Sequence, residues 1–243
     1  MPAPEVLLAC ARPDEVPPQD WGEIASLIDS DEHNRARRFR FDADRHAFVL
    51  SHALLRALVG AESGLPMDDI RVVHDIKGRP FVERAPGLHV SLSRSRELVA
   101  CAATRAAPVG VDAEWIESKP IDAGLLGAFV VTHESVTARQ FFHHWTALEA
   151  FWKACGTGLA DGQPRIRCIP LTSHRFDVHV EHSSGTCAGR GIVVDAFAEC
   201  ALSVVLRAPV ESQFVLKRTH CAGAQDIRQL ARARSAPGQF CAA

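Results

Sequence analysis

Hydrophobic and polar positions follow two rhythms along this chain. Residues 6–11 form an apolar run closed by a Pro-rich turn, which predicts a strand. Residues 21–28 are helical in pattern. Asp31 is placed to cap a second helix running to Arg38, and Asp42 or Asp44 a third. In that third helix Ala47, Leu50, Leu54, Leu55 and Leu58 recur at helical spacing, with Gly60 as the expected stop. Residues 70–74, 80–82 and 89–93 read as short strands, the first two around the turn Lys77-Gly78-Arg79. Residues 98–104 and 109–115 are two apolar strands joined by a short Ala/Pro turn, which predicts a hairpin.

After a Pro-containing linker at 118–120 comes a helical stretch near 122–130, then the strongest helix of the chain, 139–155. Phe141, Trp145, Leu148, Trp152 and Cys155 make its apolar stripe, and Gly156 stops it. Strands are expected again at 165–169, 174–181, 190–197 and 199–207, and one basic helix at 224–234. The order of elements predicts two α+β halves of about 110 residues each. The expected boundaries are 1–116 and 117–209, followed by a basic tail at 210–243 that is either disordered or binds an acidic surface.

Composition narrows the function. The 243 residues carry 27 Lys and Arg against 29 Asp and Glu, a net charge of −2, which argues against a nucleic-acid coat protein. The charge is uneven: residues 211–243 are at +3, and Arg35, Arg37, Arg38, Arg40 and Arg45 cluster against Asp42 and Asp44. Such a run is either a solvated helix face or an anion site. With 12 Phe and 4 Trp but no Tyr, a tyrosine acid or nucleophile is excluded. None of the eight Cys forms Cys-x-x-Cys, so structural zinc is not expected. The N-terminus lacks a signal-peptide pattern and no apolar run approaches 18 residues, so a cytoplasmic chain with reduced, mostly buried Cys and no membrane contact is expected.

Familiar catalytic signatures fail. There is no Gly-x-Ser-x-Gly elbow, Walker A loop or His-Glu-x-x-His. Gly156, Gly158 and Gly162 follow a helix rather than a strand, which makes them a helix stop and loop. His143 and His144 are adjacent, about 100° apart on a helix, and do not suit one metal. What remains is acidic. Asp112 and Glu114 are two apart on an expected strand and share a face. Adjacent carboxylates repel unless a cation or proton lies between them, and a hard ion such as Mg²⁺ takes oxygen ligands. Glu149 and Lys153 lie i, i+4 on a helix rich in Trp and Phe. Each feature alone also has a bland reading: a chance pair, or a surface ion pair.

Taken in order, several segments resemble the 4′-phosphopantetheinyl transferase superfamily, its surfactin-type two-half branch in particular. They are Arg37-Arg38-Phe39 with the helix after it, Lys77 to Pro80, Val90 to Ser95, Val109-Gly110-Val111-Asp112-Ala113-Glu114, and residues 145–159. The resemblance implies a pseudo-dimer of two similar α+β halves with the active site in the cleft between them. It implies transfer of 4′-phosphopantetheine from coenzyme A to a serine of an apo acyl, peptidyl or polyketide carrier protein, releasing 3′,5′-ADP. Asp112, Glu114 and Glu149 would hold Mg²⁺, or Mn²⁺, directly or through water, with Glu149 and Asp112 the catalytic pair and Glu149, or a metal-bound water it orients, taking the serine proton. Arg35, Arg79, Ser93 and Lys153 would contact the coenzyme's phosphates, with Trp145 as wall. The carrier would meet residues after the 118–120 linker, with an apolar patch near 129–131, and the enzyme would act as a monomer.

Three positions depart from the pattern. The family's Ser-His-Ser reads Ser93-Arg94-Ser95, where Arg94 could replace a histidine associated with the coenzyme's 3′-phosphate. A lysine before the motif glutamate reads Leu148, so restoring it would be expected to lower the KM for coenzyme A. An expected basic residue reads Ala47, with Arg45 two places earlier as a substitute. Leu148 and Arg94 keep open a catalytically weakened coenzyme A or carrier-binding module of the same fold, and the acidic cluster by itself keeps open a different Mg²⁺-dependent phosphoryl enzyme.

Overall fold

A computed structural model describes residues 3–95, 98–116, 137–156, 165–182, 185–209 and 213–233. The expected linker at 118–120, the helix near 122–130, the patch at 129–131, Gly158, Leu159 and Gly162 lie outside the described residues. The chain divides into two compact units. Unit 1 takes residues 1–106 and 214–243, unit 2 residues 107–213.

In unit 1, β1 (Glu5–Ala11) is an inner strand of a four-stranded sheet. It pairs in parallel with β11 (Val215–Cys221) on one side. On the other it pairs antiparallel with β5 (Leu98–Thr104), which in turn pairs with β4 (His89–Ser95). Three helices follow β1 in the chain: α1 (Trp21–Ala25), α2 (Ser30–Ala36) and the 22-residue α3 (Asp42–Ser63). Helix α3 lies on the sheet, and Phe48, Leu50, Leu54, Leu55 and Leu58 fill the core between them. Gly64, at φ 73°, ends α3 in the left-handed region that favours glycine. Gly60, expected as the stop, is instead a helical residue against the main chain of Ala231. A short ribbon of β2 (Val72–His74) and β3 (Pro80–Val82) turns at Gly78, φ 82°.

Unit 2 is a five-stranded antiparallel sheet in the order β6, β10, β9, β8, β7. The strands are β6 (Val109–Trp115), β7 (Arg165–Pro170), β8 (Arg175–His182), β9 (Gly185–Val193) and β10 (Cys200–Leu206). Helix α4 (Ala138–Cys155) packs chiefly on β6 and β10. A capping box between Thr137 and Gln140 starts it, and Gly156 at φ 70° stops it as expected.

Long helices on largely antiparallel sheets make the chain α+β. Further local expectations also differ. Helix α1 stops at Ala25, and α2 is capped by Asp29 rather than Asp31, because Asp29 and Glu32 complete a capping box. The hairpin of 98–104 and 109–115 does not form: β5 pairs with β1 and β4, while β6 pairs with β10. The boundary expected after 116 therefore falls near 106, since pairing with β10 draws β6 into unit 2. The tail is not a loose extension over its described part. It supplies β11 and α5 (Ala224–Arg232), whose Ala224, Ile227 and Leu230 enter the core of unit 1.

Candidate active site

In unit 2 the acidic residues come together on one strand and one helix. Alternation along β6 buries Val111 and Ala113 and turns Asp112 and Glu114 to the opposite face. Helix α4 carries Glu149 and Lys153 one turn apart. Lys153 Nζ donates to Asp112 Oδ1 at 2.7 Å and to the carbonyl of Val111 at 3.1 Å. Asp112 itself is only 4% exposed.

The approach of strand and helix is set at Gly110. A Cβ there would stand 1.8 Å from the carbonyl oxygen of Ala150 and 2.7 Å from the nitrogen of Ala154. The glycine of the Val-Gly-Val-Asp-x-Glu motif thus lets main chain meet main chain, two residues from Asp112 and one from Glu149. A buried hydrogen bond of 2.8 Å between Thr146 Oγ1 and Ser203 Oγ ties the same helix to β10, opposite Asp112 in register.

The electrostatics follow from this crowding. Burial pushes the Glu149 carboxyl above the ordinary range. Asp112 and Glu114 add to the rise, and Lys153 opposes it. Among the described residues no three His, Cys, Asp or Glu side chains stand ready-gathered as a metal shell, and Lys153 is the cation on Asp112. The three residues expected to hold a metal are all carboxylates, the donor type a hard divalent ion takes, and the charges of Asp112 and Glu114 both act on Glu149.

The basic residues expected to meet phosphate lie in unit 1, apart from Lys153. Arg35, on α2, and Arg94, on β4, both lie over the Phe48 ring, at 5.3 and 5.0 Å from its centroid. Desolvation, then the charge of Arg35, lowers the Arg94 pKa, so the two guanidiniums sense each other. Ser93 is buried beside Arg94 on the same strand. Arg79 closes the β2–β3 turn, where its N–H and that of Lys77 both donate to Asp75 Oδ1. Desolvation, then the charge of Arg79, pushes His89 down. Arg45 pairs with Asp42 on its own helix.

Of the apolar stripe expected on α4, Leu148 is borne out and Trp145 is not. Leu148 is 2% exposed and packs with Phe151, Trp152, Phe176, Val178 and Val205, so its side chain serves the core. Trp145 is half-buried and stacks on Phe141 rather than belonging to the fully buried stripe. Sequence reasoning also missed His52 and Arg56, which are buried with Glu32 in unit 1. Their signal was present as Phe48, His52 and Arg56 at i, i+4 and i+8 on α3. No helix among the described residues is long and apolar enough to cross a membrane.

A family described as "4′-phosphopantetheinyl transferase, N-terminal" matches residues 15–106. The chain is 28% identical over 160 residues to the 4′-phosphopantetheinyl transferase HetI of Nostoc sp., covering 61% of this chain and 68% of that protein. It is 33% identical over 149 residues to the 4′-phosphopantetheinyl transferase psf-1 of Bacillus pumilus, covering 58% and 63%. It is 24% identical over 170 residues to the L-aminoadipate-semialdehyde dehydrogenase-phosphopantetheinyl transferase of Rattus norvegicus, covering 61% and 55%. The matched stretch spans little more than half to about two thirds of these relatives' length.

Proposed function

Because the chain belongs to the 4′-phosphopantetheinyl transferase superfamily, we propose that it transfers 4′-phosphopantetheine from coenzyme A to a serine hydroxyl of an apo carrier protein. The observation that carries this reading is the unit 2 cluster. Glu149 is pushed up by burial and by Asp112 and Glu114, and Lys153 is fixed on Asp112.

In this reading Asp112, Glu114 and Glu149 hold a divalent cation, Mg²⁺ or Mn²⁺, which when bound neutralises charge on the coenzyme's pyrophosphate. Lys153 balances Asp112 and in this reading would also contact the same phosphates. Arg35, Arg79, Ser93 and Arg94 take the phosphate groups of coenzyme A, with Arg94 at the position of the 3′-phosphate histidine and Arg45 as a further cation. Glu149, whose proton affinity is already raised, accepts the proton of the attacking serine. The new bond joins serine Oγ to the β-phosphorus. The bond that breaks leaves the electron pair on 3′,5′-ADP. A soluble, monomeric enzyme serving acyl, peptidyl or polyketide carriers completes the reading.

The test is direct. The protein is incubated with coenzyme A, Mg²⁺ and several apo carrier proteins, and the carriers are weighed by mass spectrometry. A gain of one phosphopantetheine is expected. No gain on any carrier, with a coenzyme A-dependent rise in Tm retained, would instead identify a binding module.

A further inference from the structure

Helices α2 and α3 of unit 1 meet in a ladder. Asp29, Glu32 and Arg35 recur every three residues on one side, and Phe48, His52 and Arg56 every four on the other. At one end Arg56 pairs with Asp29 Oδ2 and donates through Nε to Glu32 Oε2 at 2.9 Å. In the middle Glu32 Oε1 lies 2.8 Å from His52 Nδ1. The His52 ring stacks on Phe48 at 4.1 Å, and at the far end Arg35 lies over that same ring. Glu32, Phe48, His52 and Arg56 are all buried. Arg56 also donates to the carbonyls of Met67 and Ile70, just before the ribbon that carries Arg79.

The Phe48 ring is therefore shared. It carries Arg35 from α2 and Arg94 from β4, and its own plane rests on His52. A guanidinium is planar and binds a phosphate best when its fork is already turned toward it. A lone arginine on a solvated helix loses side-chain freedom on binding. Two arginines lying over one buried ring have lost some of it beforehand.

We propose that Phe48 is a positioning residue for the Arg35–Arg94 pair, and that the His52–Glu32–Arg56 ladder fixes its ring so that both guanidiniums meet one phosphate monoester dianion together. This rests on the coenzyme A reading, in which the dianion is the 3′-phosphate. Phe48, His52, Glu32 and Arg56 are buried and are not assigned a contact with the ligand. Their effect is carried by the orientation of Arg35 and Arg94.

The test compares coenzyme A with its 3′-dephospho form by isothermal titration calorimetry. The proteins are wild type, Phe48→Met and His52→Asn. Phe48→Met nearly conserves volume. His52→Asn keeps a donor for Glu32 and loses the stacked ring. Wild type is expected to prefer coenzyme A by about tenfold or more. Each variant should narrow that preference to about threefold or less, with the affinity for the dephospho form unchanged. In turnover the KM for coenzyme A should rise while kcat holds. A preference retained in the variants overturns the positioning role and leaves the coenzyme A reading standing. If wild type binds neither form, both fall. Urea unfolding checks each variant for a cooperative native state, and if one does not fold, the other decides.

Discussion

Gly110 lies so close to Ala150 that the strand carrying Asp112 and the helix carrying Glu149 touch through their main chains. A methyl group at position 110 would overlap the Ala150 carbonyl oxygen at 1.8 Å, where no flexible side-chain end can give way. Gly110→Ala should therefore push α4 off β6. The expected cost is at least 2–3 kcal/mol, about the range of severe overpacking. Lys153 would also leave Asp112, so Mg²⁺-dependent transfer should fall more than stability alone predicts. Thermal unfolding with and without Mg²⁺ checks this. A Gly110→Ala protein with wild-type Tm would mean that the close approach is not needed.

Glu149→Gln separates chemistry from stability. The folded state holds the Glu149 proton more tightly than the unfolded chain does. Without a cation, its contribution to stability is lost as pH rises from the ordinary carboxylate range through the raised folded value. Replacing the carboxylate by an amide removes that repulsion. The variant should unfold at an equal or higher Tm near neutral pH when Mg²⁺ is absent, and should lose the stabilisation that Mg²⁺ gives the wild type. Transfer should drop by about 10²-fold or more, the scale of a lost general base. A lower Tm without metal would contradict the repulsive reading.

Much of this site was legible because its information is local. Strand alternation alone places Asp112 and Glu114 together, and i, i+4 spacing alone pairs Glu149 with Lys153. Helices α3 and α4 declared themselves through apolar periodicity over four turns or more. What escaped was decided by distant partners. The strand at 98–104 looked ready to fold back on 109–115, yet β1 and β10 compete for those edges from about 90 residues away in sequence. The basic tail read as disordered or as an arm for an acidic surface because its charge is visible in sequence and its partners are not. Lys217 meets Glu5, His220 meets Glu15, and Arg228 meets Glu23. The ladder of Glu32, His52 and Arg56 was hidden because polar residues at helical spacing usually face water.

Glu32 gives the fold an acid sensitivity. Burial by itself would raise its pKa. The hydrogen bond and charge of His52, the charge of Arg56 and the Asp29 N–H outweigh burial and bring it from 4.5 down to about 2. The stabilisation is present above the unfolded value of 4.5 and is lost as pH falls toward 2. A difference of this size corresponds to about 3 kcal/mol for a buried carboxylate. Urea unfolding between these pH values should show wild type weakening steadily and Glu32→Gln with a shallower slope. At neutral pH Glu32→Gln should cost about 3–5 kcal/mol, because it leaves the buried Arg56 with less opposing charge. Parallel slopes for the two proteins would place the acid sensitivity elsewhere.

Leu148→Lys is now expected to harm rather than help. From sequence, a lysine there would restore a cation for phosphate and lower the KM for coenzyme A. In the fold the side chain lies against Phe151, Trp152 and Phe176, so an ammonium would have to enter an apolar core. A loss of about 2–4 kcal/mol is expected, which at about 2–4 °C per kcal/mol for a chain of this size is a clear drop in Tm. An unchanged Tm with a lower KM would show that the lysine escapes to solvent and reaches the ligand.

Ending the chain after residue 213 tests the largest departure from the sequence reading. If the tail only attracted an acidic carrier, its removal would raise the carrier KM at low salt and matter little at high salt. The fold predicts something more severe. Strand β11 covers one edge of β1 along seven paired residues, and that edge would otherwise be open. Cys221, Ala224, Ile227 and Leu230 would also leave the core that α3 shares with the sheet. Burying a side chain of the Ile or Leu class contributes about 1.5–3 kcal/mol, so Ile227 and Leu230 together rival the whole stability of an ordinary domain at its lower limit. The truncated chain should be recovered aggregated, or without a cooperative unfolding transition, at every salt concentration. A soluble truncated protein with a wild-type Tm and a salt-dependent carrier KM would return the tail to the role of an electrostatic arm.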